Sequence, residues 1–146
     1  MKNKILSFIA NNENKLLALY SEPHPEHGPG GWFVVTGGLE ENETFEQAVK
    51  REVKEETNLP IKEIFPLNCG SIYPWNNETC KEINYLSFVD ANNNIILNEE
   101  HSKYKWLNLD GFINIITWDE DKELLKTILE KALNKEKHFQ KLKIHK

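Results

Sequence analysis

One helical segment, residues 43–59, limits what this chain can fold into, because its inner face changes character halfway along. At about 100° per residue, the first two turns present an apolar stripe made of Phe45, Ala48, Val49 and Val53. The carboxylates of Glu52, Glu55 and Glu56 fall in that same sector, while the lysines occupy the far side. The helix should therefore pack on a sheet and point its acidic last turns toward the protein body.

Both ends of this helix carry recognisable signals. Thr44 followed three residues later by Gln47 fits a capping box, and Glu43 adds negative charge near the positive end of the helix. Asn58, just past the last turn, is suited to a left-handed terminating conformation. The sequence predicts a helix that starts after Thr44 and stops at Asn58.

Three inward carboxylates need an explanation, because like charges three or four residues apart repel and buried unpaired carboxylates are costly. Either they are protonated or they surround cations. Several carboxylate oxygens suit Mg²⁺ or Mn²⁺ better than zinc, which prefers nitrogen and sulfur. Because Mg²⁺ commonly bridges to phosphate oxygens, a phosphorylated substrate is implied. The competing interpretation is a helix end that simply emerges into solvent.

The rest of the chain reads as alternating strands and helices. The runs KILSFIA and KLLALY predict a hairpin, SEPHPEHGPGG a loop with solvent-exposed His24 and His27, and WFVVTGG one buried strand. Two further strands, IKEIFPLNCGSIY and KEINYLSFV, are followed by the extended pieces NNNIIL and YKWLNL. DGFINIIT and DEDKELLKTILEKAL predict helices. The pattern favours an α+β class or a layered α/β/α arrangement.

Length and composition fit one domain, residues 1–134, followed by a basic tail, residues 135–146, that we expect to be solvated rather than a binding arm. The net charge of −5 argues against a nucleic-acid binder. No long apolar run suggests a membrane span. Cys69 and Cys80 are expected to be reduced thiols in a cytoplasmic protein. A homodimer formed through exposed strands is left open.

The spacing of the acidic helix resembles a known family motif. From Gly37 the chain runs five residues to Glu43, then seven residues to Arg51-Glu52-Val53, and ends Glu55-Glu56, one residue, Asn58-Leu59. This resembles the Nudix box of the Nudix hydrolase superfamily, G-x5-E-x7-R-E-U-x-E-E-x-G-U. The departure is Asn58 in place of glycine, and Asn tolerates the left-handed conformation best among other residues.

The resemblance implies an α/β/α sandwich built on a mixed sheet. It also implies that the protein binds Mg²⁺ or Mn²⁺ and hydrolyses a nucleoside diphosphate linked to another group. The implied metal ligands are Glu52, Glu55, Glu56, the carbonyl of Thr36, and Glu100. Arg51 should orient a neighbouring glutamate, Glu43 should support the loop or an outer-shell cation, and Gly37 should allow a tight turn. The general base is Glu55 or Glu56 in the box, or Glu99 or Glu100 on a distant loop, of which Glu100 is favoured.

Segments outside the box resemble those of bacterial (deoxy)nucleoside triphosphate and dihydroneopterin triphosphate pyrophosphohydrolases, including EEHSKYKWLNL and a tryptophan, Trp118, early in the final helix. The implied reaction yields a monophosphate and pyrophosphate. Diadenosine tetraphosphate hydrolases are the rival, and an inactive nucleotide-binding module is the alternative of another class. Gly37, Gly38, Trp32 and Trp75 are the expected substrate contacts, with Trp75 placed in a loop; Tyr73 and Trp106 are weaker candidates.

Overall fold

The computed structural model describes residues 2–26, 28–90, 94–135 and 143–144, which form eight strands and three helices. The strands are β1 (Lys2–Ala10), β2 (Leu16–Ser21), β3 (Gly31–Phe33), β4 (Val35–Gly38), β5 (Glu63–Trp75), β6 (Glu78–Phe88), β7 (Lys103–Leu107) and β8 (Lys143–Ile144). The helices are α1 (Phe45–Thr57), α2 (Leu109–Ile115) and α3 (Lys122–Leu133).

All described strands belong to one mixed sheet with β1 at its centre. The main path runs β3-β2-β1-β6-β5-β8, with β4 paired to β1 and β7 paired to β2. Strand β1 runs parallel to β6 along its whole length and antiparallel to β2 and β4. This mixed sheet with helices on it confirms the predicted α+β fold.

Asparagines shape the two hairpins that frame the sheet. In the β1–β2 turn the side chain of Asn11 accepts hydrogen bonds from the backbone of Glu13 and Lys15, at 2.9 and 3.1 Å. Between β5 and β6, Asn76 and Asn77 have φ angles of 47° and 64°. Positive φ at both central residues matches the right-handed twist of the flanking strands, which is why Asn serves here.

Each face of the sheet is covered by a separate helical layer. Helix α1 buries Ala48, Val49 and Val53 against one face, as its apolar stripe predicts. Helices α2 and α3 cover the opposite face, where Phe112 and Leu129 are fully buried. The alternation of strand side chains supplies both cores, because successive residues point to opposite faces.

The ends of α1 confirm the capping predictions. The hydroxyl of Thr44 accepts from the backbone of Gln47, and the side chain of Gln47 accepts from the backbone of Thr44. Asn58 is left-handed, with φ 65° and ψ 13°, and its N–H donates to the carbonyl of Lys54. Asn58 thus supplies the conformation that glycine supplies in the family motif.

Several predicted boundaries were wrong. Val34 interrupts the expected single strand, leaving β3 and β4 as separate pieces, and residues 94–97 form no strand. Helix α3 starts at Lys122 because the carboxylate of Asp121 caps it by accepting from the next backbone N–H groups. Trp118 therefore lies in the connection before α3 and not in the helix.

Three further sequence predictions concern the cysteines, the basic tail and membrane-spanning segments. Cys69 and Cys80 are both buried, and neither forms a disulfide among the described residues. Lys143–Ile144 pairs in parallel with β5, whereas the rest of the predicted tail after Lys135, together with His27, lies outside the described residues. Among the described helices, none combines the length and apolar character that crossing a bilayer requires.

Candidate metal and substrate site

Arg51 organises the loop between β4 and α1. Its guanidinium donates to both carboxylate oxygens of Glu43 at 2.8 and 2.9 Å, and to the carbonyl of Gly38 at 2.9 Å. Its Nη1 donates to the carboxylate of Glu52 at 2.7 Å. The hydrogen bonds from Arg51, followed by one from the backbone of Glu40, lower the pKa of Glu43 to about 2. The loop is therefore held against the helix by an ionised, charge-assisted network.

Gly37 is required by close approach. It lies in β4, paired with Ile5, and its φ is not in the left-handed region. A Cβ atom at this position would collide with the carboxyl group of Glu52. Gly37 thus admits the Glu52 side chain against the strand, a different role from the tight turn that the motif implied.

The three box glutamates differ in exposure. The side chains of Glu56 and Glu52 are only 2% and 14% exposed, as the inward sector predicts. Glu55 differs, because its side chain is 54% exposed. One of its oxygens lies 3.4 Å from Arg51, so it borders the same network from the solvent side. The three carboxylates at the acidic end of the helix therefore range from buried, at Glu56, to exposed, at Glu55.

Glu56 is buried among other titratable groups. Burial first, and then the neighbouring carboxyl groups of Glu52 and Glu100, raise the pKa of Glu56 to about 10. Its Oε2 has no hydrogen-bond partner among the described residues, and its Oε1 lies 3.8 Å from Nδ1 of His101. A buried carboxyl group in this setting either keeps its proton or acquires a cation.

The loop carrying Glu100 and His101 is attached at both ends to the elements that hold the box. The N–H of Ile96 donates to the carbonyl of Thr57 at the end of α1, at 3.0 Å. The N–H of Ser102 donates to the carbonyl of Tyr20 in β2, at 2.9 Å. These two bonds bring a segment more than forty residues from the box in sequence against Glu56.

A divalent cation fits this cluster. One ligand atom from each of Glu56, Glu100 and His101 lies within 4.8 Å of the others. Within the described part of the chain, neither Nδ1 of His101 nor Oε2 of Glu56 has a hydrogen-bond partner, so a ligand could satisfy two buried polar atoms. Carboxylate oxygens with one imidazole suit Mg²⁺ or Mn²⁺, and the nitrogen makes Mn²⁺ the better match.

A cleft of about 620 Å³ opens from this cluster. Thr36, Glu56, Glu99, Glu100 and His101 line one part of it. Apolar and aromatic residues, Phe33 and Trp118 among them, line it as well. The arrangement places acidic groups and a flat apolar wall in one cavity, as a phosphorylated ligand with a ring system would need.

Two predicted substrate contacts lie away from this cleft. Trp32 packs against Tyr20, with ring centroids 5.1 Å apart, and Trp75 lies in the β5–β6 hairpin with the amino group of Lys2 4.0 Å above its ring. Neither residue lines the cleft. The other two predicted contacts, Gly37 and Gly38, do not line the cleft either, and the carbonyl of Gly38 accepts from Arg51. The exposed His24, predicted as a plain loop residue, does line the cleft.

Sequence reasoning missed three residues of the cleft. His101 follows Glu100 directly, but a lone histidine beside an acid carries no signal until burial is known. Phe33 and Trp118 were missed as ring contacts because aromatic residues are far more often core. Only the run EEHSKYKWL, already notable for its acids, pointed to this part of the site.

Comparison with known proteins identifies the family to which this fold belongs. Residues 3–128 match the NUDIX domain family. The chain belongs to the Nudix family. The predicted resemblance is thereby confirmed, and the motif residues Gly37 to Leu59 lie inside the matched region of this Nudix domain.

Curated relatives of this Nudix domain carry two kinds of name. The NAD-capped RNA hydrolase NudC of Mannheimia succiniciproducens is 31% identical over 107 residues, covering 73% of this chain and 39% of the relative. The nucleoside triphosphatase NudI of Klebsiella pneumoniae is 32% identical over 95 residues, covering 59% of this chain and 67% of the relative. The chain thus spans about two fifths of the length of the NudC relative.

Solved structures share the fold at low identity. The E. coli dihydroneopterin triphosphate pyrophosphohydrolase has a TM-score of 0.66 at 21% identity, covering 90% of this chain and 94% of that one. A C. elegans Ap4A hydrolase gives the same TM-score and identity, covering 90% and 95%. Likeness at this level establishes the Nudix fold and does not separate the two substrates.

Proposed function

We propose that this Nudix domain is a metal-dependent hydrolase of phosphorus-containing anhydrides that cleaves a nucleoside triphosphate-type substrate to a monophosphate and pyrophosphate. The cluster of buried Glu56 and His101 with exposed Glu100, in a cleft that Phe33 and Trp118 also line, carries this proposal. The acidic end accounts for a cation and phosphates, and the aromatic end accounts for a base. Family membership and the named hydrolase relatives support the reaction class.

The side chains divide the work by position. A bound Mg²⁺ or Mn²⁺ would neutralise phosphate charge and acidify its bound water. Glu56, Glu100 and His101 would hold the cation, joined by Glu52, which Arg51 keeps in place, and by Glu55 from the solvent side. The backbone carbonyl of Thr36 is a further proposed ligand from the cleft wall.

Proton transfer is assigned to Glu100. It is the exposed member of the cluster and lines the cleft, so it can reach water that approaches phosphorus from the open side. As the water oxygen bonds to the α or β phosphorus, its proton passes to the carboxylate and the P–O bond of the α–β bridge breaks, which expels pyrophosphate or the nucleoside monophosphate respectively. Glu56 and Glu55 remain the alternative bases from the box.

The relatives favour different substrates. The NudI name supports the triphosphate reading, and the dihydroneopterin triphosphate enzyme shares the fold. The NudC name refers to NAD-capped RNA, so the expectation that this chain has no nucleic-acid partner stays a prediction. Diadenosine tetraphosphate remains the rival substrate, and a binding module without turnover is the alternative of another class.

A substrate panel with Mg²⁺ or Mn²⁺ and an EDTA control tests the proposal. The panel contains dNTPs, NTPs, dihydroneopterin triphosphate, diadenosine tetraphosphate, ADP-ribose, NADH and an NAD-capped RNA, with products separated by chromatography. Monophosphate plus pyrophosphate from a triphosphate supports the proposal. ATP plus AMP from diadenosine tetraphosphate supports the rival, and absence of turnover with any substrate supports the binding module.

The variant Glu56→Gln links turnover to the buried cluster. It keeps the shape of the side chain but loses its charge, so kcat should fall by about two orders of magnitude or more while the fold is retained. Glu46→Gln, an exposed change in the first turn of the same helix, is the matched control and should keep normal turnover. Near-normal kcat for Glu56→Gln at saturating Mg²⁺ removes Glu56 from the essential site.

A further inference from the structure

A second cavity of about 310 Å³ adjoins the acidic cleft on the α3 side of the sheet. The two cavities share the side chains of Leu6, Phe33, Thr117 and Trp118. A ligand whose phosphates lie at the Glu56 cluster can therefore extend past Trp118 into this second space. Neither the box nor the cation cluster contributes a residue to it.

The lining of the second cavity accepts hydrogen bonds. Its lining includes four acidic residues, Glu82, Asp119, Glu120 and Asp121, and the amide residue Asn84. None of the described residues that line it is Lys, Arg or His. A phosphate group would meet only like charge here, whereas amino and ring N–H groups would find acceptors. The cavity suits the end of the ligand that is opposite its phosphates.

Among the described residues, the side chain of Asn84 has an unpaired acceptor that a ligand could satisfy. Its side chain is 6% exposed, and Oδ1 has no hydrogen-bond partner among the described residues. Its Nδ2 donates a weak hydrogen bond to Sγ of Cys69, at 3.7 Å. A buried carbonyl oxygen without a donor costs free energy, so a ligand that supplies an N–H donor gains from pairing with it.

Glu82 stands two residues before Asn84 on β6, so both side chains project from the same face of the sheet. Tyr73 forms a hydrogen bond with the Glu82 carboxyl group, and the charge of Lys4 acts on it. A carboxylate has about four lone-pair positions, and these contacts leave acceptor capacity directed at the cavity. Burial raises the pKa of Glu82, and a carboxyl group retains an acceptor oxygen in either protonation state.

We propose that this second cavity is the base-recognition subsite, and that Glu82 and Asn84 select a ring with an amino group next to a ring N–H. Guanine and a 2-amino-4-oxopteridine share that edge, with two adjacent donors. Adenine and cytosine present a donor beside an acceptor, and uracil and thymine place acceptors on both sides of their single N–H. Trp118 and Phe33 supply the flat apolar surface for the ring.

The inference rests on the proposed function for the nucleotide-like nature of the ligand, but its test requires no hydrolysis. Binding of GMP, IMP, AMP and UMP is measured by isothermal titration calorimetry with the unmodified protein. IMP is the matched ligand, because it differs from GMP only by the missing 2-amino group. GMP should bind about tenfold more tightly than IMP. Neopterin monophosphate, compared with GMP, distinguishes a pterin substrate from a guanine nucleotide.

Two variants assign the preference to the residues named. Asn84→Leu and Glu82→Gln should each reduce GMP affinity about tenfold while changing IMP affinity much less. Glu78→Gln, the same chemical change at an exposed position of β6 outside both cavities, should leave GMP affinity unchanged. Circular dichroism checks folding of each variant, and Glu82→Gln carries the test if Asn84→Leu does not fold.

The outcomes separate the two proposals. Equal affinities for GMP and IMP in the unmodified protein, or a preference that survives both variants, overturn the base subsite. Selective GMP binding without turnover of any triphosphate sustains the subsite and removes the proposed function. Triphosphate hydrolysis without any base preference does the reverse.

Discussion

At the scale of single residues, the most demanding contact is the one between Gly37 and Glu52. A strand residue without a side chain lies against a carboxyl group that Arg51 fixes from the other side. Glycine at this position is therefore required for close packing against Glu52, a proposed metal ligand, and the motif alone does not show this requirement. Gly38 next to it is much less constrained, since a Cβ there would meet its nearest atoms at 3.8 Å.

The substitution Gly37→Ala should displace Glu52 rather than unfold the protein. The flexible carboxyl end of Glu52 is the group that yields, at the cost of its hydrogen bond to Arg51. We expect about 1 kcal/mol of lost stability and a 10–100-fold weaker affinity for Mn²⁺. Urea unfolding and calorimetric Mn²⁺ titration measure the two effects. Gly38→Ala is the matched control for stability, and equal Mn²⁺ affinities in both variants would contradict the proposed role of Gly37.

Glu56 should make stability depend on pH in the cation-free protein. Its raised pKa means that the folded state keeps a proton that the unfolded state loses above about pH 4.5. The folded state then binds more protons, so the free energy of unfolding should fall as pH rises, by up to about 1.4 kcal/mol per pH unit. Because other groups titrate too, the measured quantity is the difference between the unmodified protein and Glu56→Gln from pH 5 to 9.

Saturating Mg²⁺ gives the internal control for this slope. A bound cation stabilises the ionised carboxylate, so the pH-dependent difference between the two proteins should flatten when it is present. Parallel stability curves in EDTA would show that Glu56 is ionised in the folded protein without help from a cation.

At the scale of elements, α1 ends where a left-handed residue is needed. Asn58 holds φ 65°, a region that costs a residue with a Cβ about 1–2 kcal/mol unless its side chain compensates locally. Asn58→Gly should therefore leave stability unchanged or slightly higher, while Asn58→Ala should lose about 1 kcal/mol. Denaturant unfolding measures the free energy of unfolding of both variants, and Asn58→Gly is the control for loss of the Asn58 side chain. An alanine variant as stable as the glycine variant would show that backbone strain does not govern the helix end.

The same helix shows how far sequence patterns reach. Capping residues, the apolar stripe and the inward turn of Glu56 are local or periodic properties, so they were predicted from residues 43–59 alone. The exposure of Glu55 was not, because it depends on how α1 is rotated against β4 and on the position of Arg51. Likewise, Trp118 was assigned to a helix because its neighbours have helical spacing, whereas the cap at Asp121 starts that helix later.

At the scale of the whole molecule, the site is assembled from segments that are distant in the chain. Helix α1 supplies the box, and the connection after β6 supplies Glu100 and His101. The connection after α2 supplies Trp118. Sheet pairing and contacts between distant segments, such as the hydrogen bond from Ile96 to Thr57, set the distances among them, and neither is encoded in local periodicity. This explains why the proposed metal ligands in the box could be identified from the sequence, whereas the proposed base-binding residues could not.

Cation binding should stabilise the entire fold, since the cluster joins α1 to the loop after β6. A ligand that binds only the folded state at 100 times its Kd adds about 2.7 kcal/mol to the free energy of unfolding. For a chain near this size that corresponds to a rise in Tm of about 5–10 °C. Thermal melts in Mg²⁺, Mn²⁺ and EDTA measure it, with Glu46→Gln expected to match the unmodified protein. The rise should shrink by more than half in Glu56→Gln, because that variant removes the buried charge around which the ligand group is built. An undiminished rise in Glu56→Gln would place the stabilising cation elsewhere on the chain.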